Sequence, residues 1–241
     1  MDLNSYIARA YAAVMSDRAR IERNYAEHAE VYAFWAMIDL VDSTKYRIAN
    51  GPREGYVRGE LFYSTVRTVL EPVETVSLVK ELGDAVLLCC PHFSTLFESL
   101  LLVHSVAAMF ASADPDDPIP LVVRSGVNHG AANTIGRGNA KHLPESPDYL
   151  GRPIDELSRV MAVRSPNTSM LMHEDAYSAA KEALKEYTSF TKVQGPHTIP
   201  SAIAKGSVTP IYYYEVLLDR VALGRTHDGF EEWRSLGTRG Q

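Results

Sequence analysis

Asp39 and Asp84 are the residues of this sequence whose type and setting best suit chemistry, provided the fold brings them together. Two carboxylates a few ångströms apart repel one another and raise each other's pKa unless a cation sits between them. Hard divalent cations answer that need, and magnesium in particular is held by one or two carboxylates plus the phosphates of a substrate. The run Asp39-Leu-Val-Asp-Ser-Thr44 adds a second element. Ser43 or Asp42 can cap a short helix there, and the free N–H groups of such a helix start bind phosphate. Taken singly, Asp39 also reads as a helix N-cap and Asp84 as an ordinary Gly-Asp turn residue. Only their pairing favours a metal.

The pairing follows from the elements that carry them. Val31 to Leu40 is apolar and aromatic and too short for a typical helix, so it reads as a buried strand ending at Asp39. Val57 to Leu70 has helical spacing, and Val76 to Lys80 and Ala85 to Cys90 are β-rich runs split by Glu81-Leu82-Gly83-Asp84, which makes a hairpin. Ser94 to Ser112 reads as an apolar helix and Leu121 to Gly126 as a strand. Strand, helix, strand, strand, helix, strand is the ferredoxin-like order, in which the first and third strands are antiparallel neighbours. The end of the first, at Asp39, then lies beside the start of the third, at Asp84.

Beyond that core, Ala131 to Pro147 is rich in Gly, Asn and Pro and reads as a mobile loop. Ile154 to Val163 reads as a helix, Ser169 to His173 as a strand, Glu174 to Glu186 as a helix and Ile211 to Val216 as a closing strand. Helical spacing of Tyr6, Ile7, Ala10, Tyr11, Val14 and Met15 predicts N-terminal helices over residues 1–30, and residues 219–241 form a polar tail. The expected fold class is α+β: a ferredoxin-like βαββαβ core over residues 31–218 with a C-terminal β-α extension.

Composition narrows the partners. Twenty-four basic against thirty acidic residues give a net charge of −6, which offers no general attraction to nucleic acid. The apolar runs fall short of the roughly 20 residues that cross a bilayer, so no membrane span is expected. The adjacent Cys89 and Cys90 lack metal-ligand spacing and cannot pair without strain, which suits a reducing cytoplasm.

With the two aspartates, the hairpin and the later loop in place, the sequence resembles the class III nucleotidyl cyclases. The carriers are AMIDLVDST, VKELGDAVLL, VRSGVNHG and DYLGRPIDELSR, in that order. The resemblance implies a cyclase core that dimerises head to tail, so that a homodimer shares its active sites. It implies two divalent cations, Mg²⁺ or Mn²⁺, on Asp39, Leu40 and Asp84, with Ser43 and Thr44 at the triphosphate. Lys80 and Asp148 fall where adenylate cyclases read the adenine edge, and Arg159 where the family stabilises charge in the transition state. An Asp155–Arg159 salt bridge at i,i+4 is the plain alternative for Arg159. Lys205 resembles a lysine that meets the triphosphate and equally reads as a solvated surface residue.

The chain departs from the family pattern at Asp155, where an asparagine usually orients the ribose, and at Asp42, where glycine is common. Asn128 and His129 shift the usual Gly-x-His-x-Gly, so His129 reads as a core histidine rather than a proton-transfer group. Lys80 and Asp148 read literally say adenine, since a lysine donates to N1 and an aspartate accepts from the exocyclic amine. With no recognisable sensor and with Asp155, the chain also resembles the pyrimidine cyclases of bacterial anti-phage defence, whose cyclic UMP or cyclic CMP is read by a separate effector. Lys80, Arg137 or Tyr149 could then reach across to the smaller base. A cyclase-like binding module without catalysis is the reading of another class, and the retention of Asp39, Asp84 and Arg159 speaks against it.

Overall fold

The computed structural model describes residues 7–13, 15, 18, 30–113, 119–135, 148–163, 170–189, 191–204, 207 and 209–219. Their elements are β1 (Glu30–Leu40), α1 (Ser43–Asn50), α2 (Pro52–Leu70), β2 (Ser77–Glu81), β3 (Ala85–Cys90), α3 (Phe93–Ala113), β4 (Val123–Ile135) and β5 (Asp148–Leu150). Then follow α4 (Arg152–Met161), β6 (Met170–His173), α5 (Glu174–Ala180), a 3₁₀ turn (Ala183–Tyr187), β7 (Thr191–Thr198) and β8 (Tyr212–Leu218). Residues 7–13 are helical and exposed. Lys205, Arg137 and residues 220–241 lie outside the described residues.

One sheet organises the molecule, in the order β2-β3-β1-β4-β6-β8-β7. Its first four strands are the expected ferredoxin-like core, and β1 is antiparallel to both β3 and β4. Alternation along β1 divides two environments. Phe34, Ala36, Ile38 and Leu40 point into the main core with Phe62, Phe97 and Leu100 of α2 and α3. Ala33 and Trp35 point the other way, onto Leu157 and Met161 of α4. Asp39 has their parity and closes that second face.

Several elements differ from the sequence expectation. The strand expected to end at Gly126 runs to Ile135, so residues 131–135 are not loop. Their Gly, Ala and Asn composition argues against a strand, but pairing with β1 from Glu30↔Asn133 to Leu40↔Val123 overrides propensity. Earlier in the strand, Gly126 leaves room for α4: a Cβ there would lie 2.7 Å from Met161 Sδ and 3.0 Å from Leu157 Cδ1, so those side chains would have to shift. The helix expected from Val57 starts earlier, at Pro52, where Gly51 (φ 91°) separates it from α1. The helix expected to reach Glu186 ends at Ala180, and β5 and β7 had no clear signal. The Phe93–Phe110 stretch of α3, with mean hydropathy 1.5, is long and apolar enough to cross a membrane by length and composition, against expectation. Half of it is buried inside the protein, as a core helix requires.

Candidate active site

β1 and β3 place the two aspartates side by side. Asp39 pairs in register with Ala85, and the Leu40 N–H donates to the Asp84 carbonyl at 2.9 Å. The hairpin turn that presents Asp84 needs Gly83 at φ 76°, a value side chains rarely adopt. Tyr63 of α2 donates its hydroxyl to the Gly83 carbonyl and steadies the turn.

Arg124 of β4 lies opposite Asp39, and its Nε and Nη2 both approach Asp39 Oδ2 at 2.6 Å. Burial pushes the Asp39 carboxyl above its ordinary value and Asp84 adds to the rise, while Arg124 works against both. Ser43 donates its hydroxyl to Asp84 Oδ2. The donor set is therefore carboxylate oxygens, with one guanidinium as the counter-charge. Oxygen donors of this kind fit a hard divalent cation.

The turn after Asp39 is clamped from below. Arg58 of α2 is buried and donates to the Val41 carbonyl at 2.9 Å and the Pro120 carbonyl at 2.8 Å. Its guanidinium lies 4.6 Å from the centre of the Tyr46 ring. Asp42 takes up φ 55° before α1 and makes no side-chain cap; its carboxylate turns to Lys45 at 2.8 Å. Neither Asp42 nor Ser43 caps α1 as expected, since Ser43 is the first helical residue and is engaged with Asp84. Thr44 is exposed on the first turn of α1.

A second group forms where β2 meets β5. Lys80 Nζ lies 2.7 Å from Asp148 Oδ1, with both side chains about one-third exposed. Tyr149 beside them packs on Trp35, ring centres 5.1 Å apart, and Trp35 donates to the Gly130 carbonyl at 2.9 Å.

A third group rides on α4. Asn128, fully buried in β4, donates to the Pro153 carbonyl at 2.9 Å and holds the start of the helix against the sheet. Arg159 is half-exposed and Asp155 exposed. Among the described residues Arg159 has no hydrogen-bond or ion-pair partner, so the i,i+4 bridge to Asp155 is not formed. His129 packs against the rings of Tyr32 and Phe34, at 4.6 and 4.2 Å, and burial lowers its pKa, although it is half-buried rather than in the core.

Among the described residues no direct contact joins Asp39 or Asp84 to Lys80, Asp148, Asp155 or Arg159. No expectation from the sequence was attached to Arg124. Its role against Asp39 depends on the β1–β4 register, which no local pattern announces.

No family model matches this chain, and no curated protein matches it in sequence. Solved structures do match its fold. Adenylate cyclases of Trypanosoma brucei in their monomeric state share 16% identity at a TM-score of 0.61, over 78% of this chain and 88% of theirs. The guanylyl cyclase Cya2 shares 13% at 0.61, over 78% and 93%. The adenylyl cyclase CyaB of P. aeruginosa shares 15% at 0.58, over 79% and 95%. The chain has the fold of the nucleotidyl cyclase catalytic domain. On that fold the chain carries Asp155 on α4 and an Arg124–Asp39 ion pair at the head of the sheet.

Proposed function

We propose that this protein is a nucleotidyl cyclase, converting a nucleoside triphosphate to a 3′,5′-cyclic nucleotide and pyrophosphate. The observation that carries the reading is the adjacent Asp39 and Asp84 at the head of a cyclase-fold sheet, with the α1 start and Arg124 beside them. Asp39, Asp84 and the Leu40 carbonyl would hold two divalent cations, Mg²⁺ or Mn²⁺. Bound there, such cations neutralise the triphosphate and make the ribose 3′-hydroxyl more acidic. Arg124, which now pairs with Asp39, would be the guanidinium nearest to phosphates bound there. Ser43 and Thr44 present the α1 start to the same group, with Lys205 as a further phosphate contact. The 3′-oxygen attacks the α-phosphorus in line, its proton is lost to solvent, and Arg159 stabilises the charge that develops as pyrophosphate leaves.

The sites form between two copies of the chain. Arg159 is half-buried and, among the described residues, has no partner, which suits a residue serving a neighbour's site. Lys80, Asp148 and Asp155 belong with it on the base and ribose side, facing the second chain's Asp39 and Asp84.

The base is a pyrimidine, and the product, cyclic UMP or cyclic CMP, is a cytoplasmic second messenger of anti-phage defence read by a separate effector. What supports this is the resemblance together with Asp155, and the long Lys80 side chain beside Tyr149, suited to reach a small base. The Lys80–Asp148 ion pair favours a second reading, an adenylate cyclase, because that pair is complementary to the adenine edge. Purified protein with manganese and each of the four nucleoside triphosphates decides between them. Cyclic UMP or cyclic CMP is expected; cyclic AMP alone would replace the pyrimidine reading, and no cyclic product with any of the four would end the enzymatic one.

A further inference from the structure

α1 is eight residues long and buries none of them. The face that carries Tyr46 and Ala49 lines a cleft of about 450 Å³ instead, which Val41, Arg58, Pro120 and Val122 complete from α2 and the two turns beside it. That volume falls within the range of about 300–1,000 Å³ typical of small-molecule sites. The proposed reaction does not use the cleft. Ser43, the α1 residue that meets Asp84, is not among its lining residues.

Arg58 gives the cleft its chemistry. Its side chain is buried, at 3% exposure, and among the described residues it forms no ion pair. Nε and Nη2 donate to the Pro120 and Val41 carbonyls, whereas Nη1 is buried with no hydrogen-bond partner. Burial lowers the Arg58 pKa from its ordinary value, and the Tyr46 phenol and Asp42 offset this. Asp42 is exposed, however, and turns its carboxylate to Lys45 at 2.8 Å. Those two charges at the mouth balance, so Arg58 is the uncompensated one. A buried guanidinium without an anion, and with an unmet donor, is costly and points to an acceptor that would meet it.

The rest of the lining says what carries that acceptor. Val41, Ala49, Pro120 and Val122 are apolar, and a single net positive charge answers a monoanion better than a dianion. We propose that the cleft binds a small monocarboxylate with an apolar body. Its carboxylate accepts from Arg58 Nη1, and its body lies against Ala49, Pro120 and Val122. Tyr46, half-buried with its ring 4.6 Å from the guanidinium, swings outward on the exposed helix to uncover Nη1. The occupant braces α1 against α2 without touching Asp39 or Asp84. This site is independent of the cyclase reading.

The test uses the full chain with benzoate and hexanoate as probes, and with benzyl alcohol and inorganic phosphate as controls. Calorimetric titration at neutral pH should show one equivalent of benzoate or hexanoate per chain and a raised Tm. Benzyl alcohol, which has the body without the charge, and phosphate, which has charge without the body, should bind at least tenfold more weakly. Ala49→Trp fills the cleft from the exposed helix and should weaken carboxylate binding at least tenfold, with circular dichroism unchanged. Arg58→Lys, which keeps a cation but lacks Nη1, should weaken it similarly. No saturable binding of either carboxylate, phosphate binding as tight as theirs, or binding unchanged by Ala49→Trp overturns the proposal. If Arg58→Lys fails to fold, Ala49→Trp and the benzyl alcohol comparison decide.

Discussion

The head of the sheet and the α4 side of the same face are built on opposite principles. At the head, Asp39 and Asp84 sit on hydrogen-bonded neighbouring strands, and each is already met: Asp39 by Arg124, Asp84 by Ser43. Arg58 holds the turn that follows from beneath. On α4 the backbone is equally well seated, through Asn128 and Gly126, yet among the described residues Arg159 has no hydrogen-bond or ion-pair partner. On the proposed reading, Arg159 serves a second chain's site, and the Asp39–Asp84 pair is the half that would receive cations and substrate.

Silencing the head should have the largest effect. Asp39→Asn with Asp84→Asn is expected to lower cyclic-nucleotide formation by about 10³-fold or more, the scale of removing metal catalysis. Circular dichroism should be unchanged, because both replacements are isosteric. Next, Arg159→Ala should cost about 10²–10³-fold in kcat, with the metal concentration giving half-maximal activity unmoved. Equal loss of metal affinity would erase the distinction between the two regions.

Mixing those two inactive proteins sharpens the comparison further. Random reassortment makes half the dimers heterodimers with one intact site each, so activity should return to about one quarter of wild type. No recovery after exchange would mean that each chain completes its own site.

Arg58→Met should leave the Val41 and Pro120 carbonyls unpaired and cost about 2–4 kcal/mol in urea unfolding, at about 1–3 kcal/mol per buried polar group. The equivalent change at Arg159 should leave stability within about 0.5 kcal/mol of wild type, as an unpartnered, half-exposed side chain implies.

The smallest effect is in pH dependence. Asp39 has its pKa raised above 3.8 in the fold, chiefly by burial, so the folded state holds that proton more tightly than the unfolded chain. The associated stability is complete below 3.8 and is lost as pH rises through the raised value. In metal-free protein, Asp39→Asn should therefore gain stability relative to wild type over that window, measured by unfolding at a series of pH values. Saturating Mn²⁺ should reverse the gain, because a cation favours the ionised carboxyl that only wild type offers.

Some of this was legible residue by residue. Asp84 could be placed because a Gly-Asp turn between two β-rich runs announces a hairpin, and Asp39 because an apolar strand ends there in polar residues. The extent of β4 was not legible, since Gly126, Gly130, Ala131 and Ala132 look like loop until α4 is laid on the strand. The approach of Glu156 to His173, with Oε2 and Nε2 3.4 Å apart, was hidden for a related reason. A helix face and a strand end seventeen residues on share no pattern that one window could detect.

Local chemistry and order therefore came from the sequence by itself: the ferredoxin-like succession of elements, the candidate metal pair and the apolar face of each helix. These depend on neighbours along the chain, through turn conformation and the periods of strand and helix. Tertiary structure alone decided that Arg124 answers Asp39, that Lys80 meets Asp148, and that Arg159 is left without a partner. Each of those is a matter of register between strands or of how a helix is laid on a sheet. Such contacts are set by the packing of the whole core rather than by any stretch of residues.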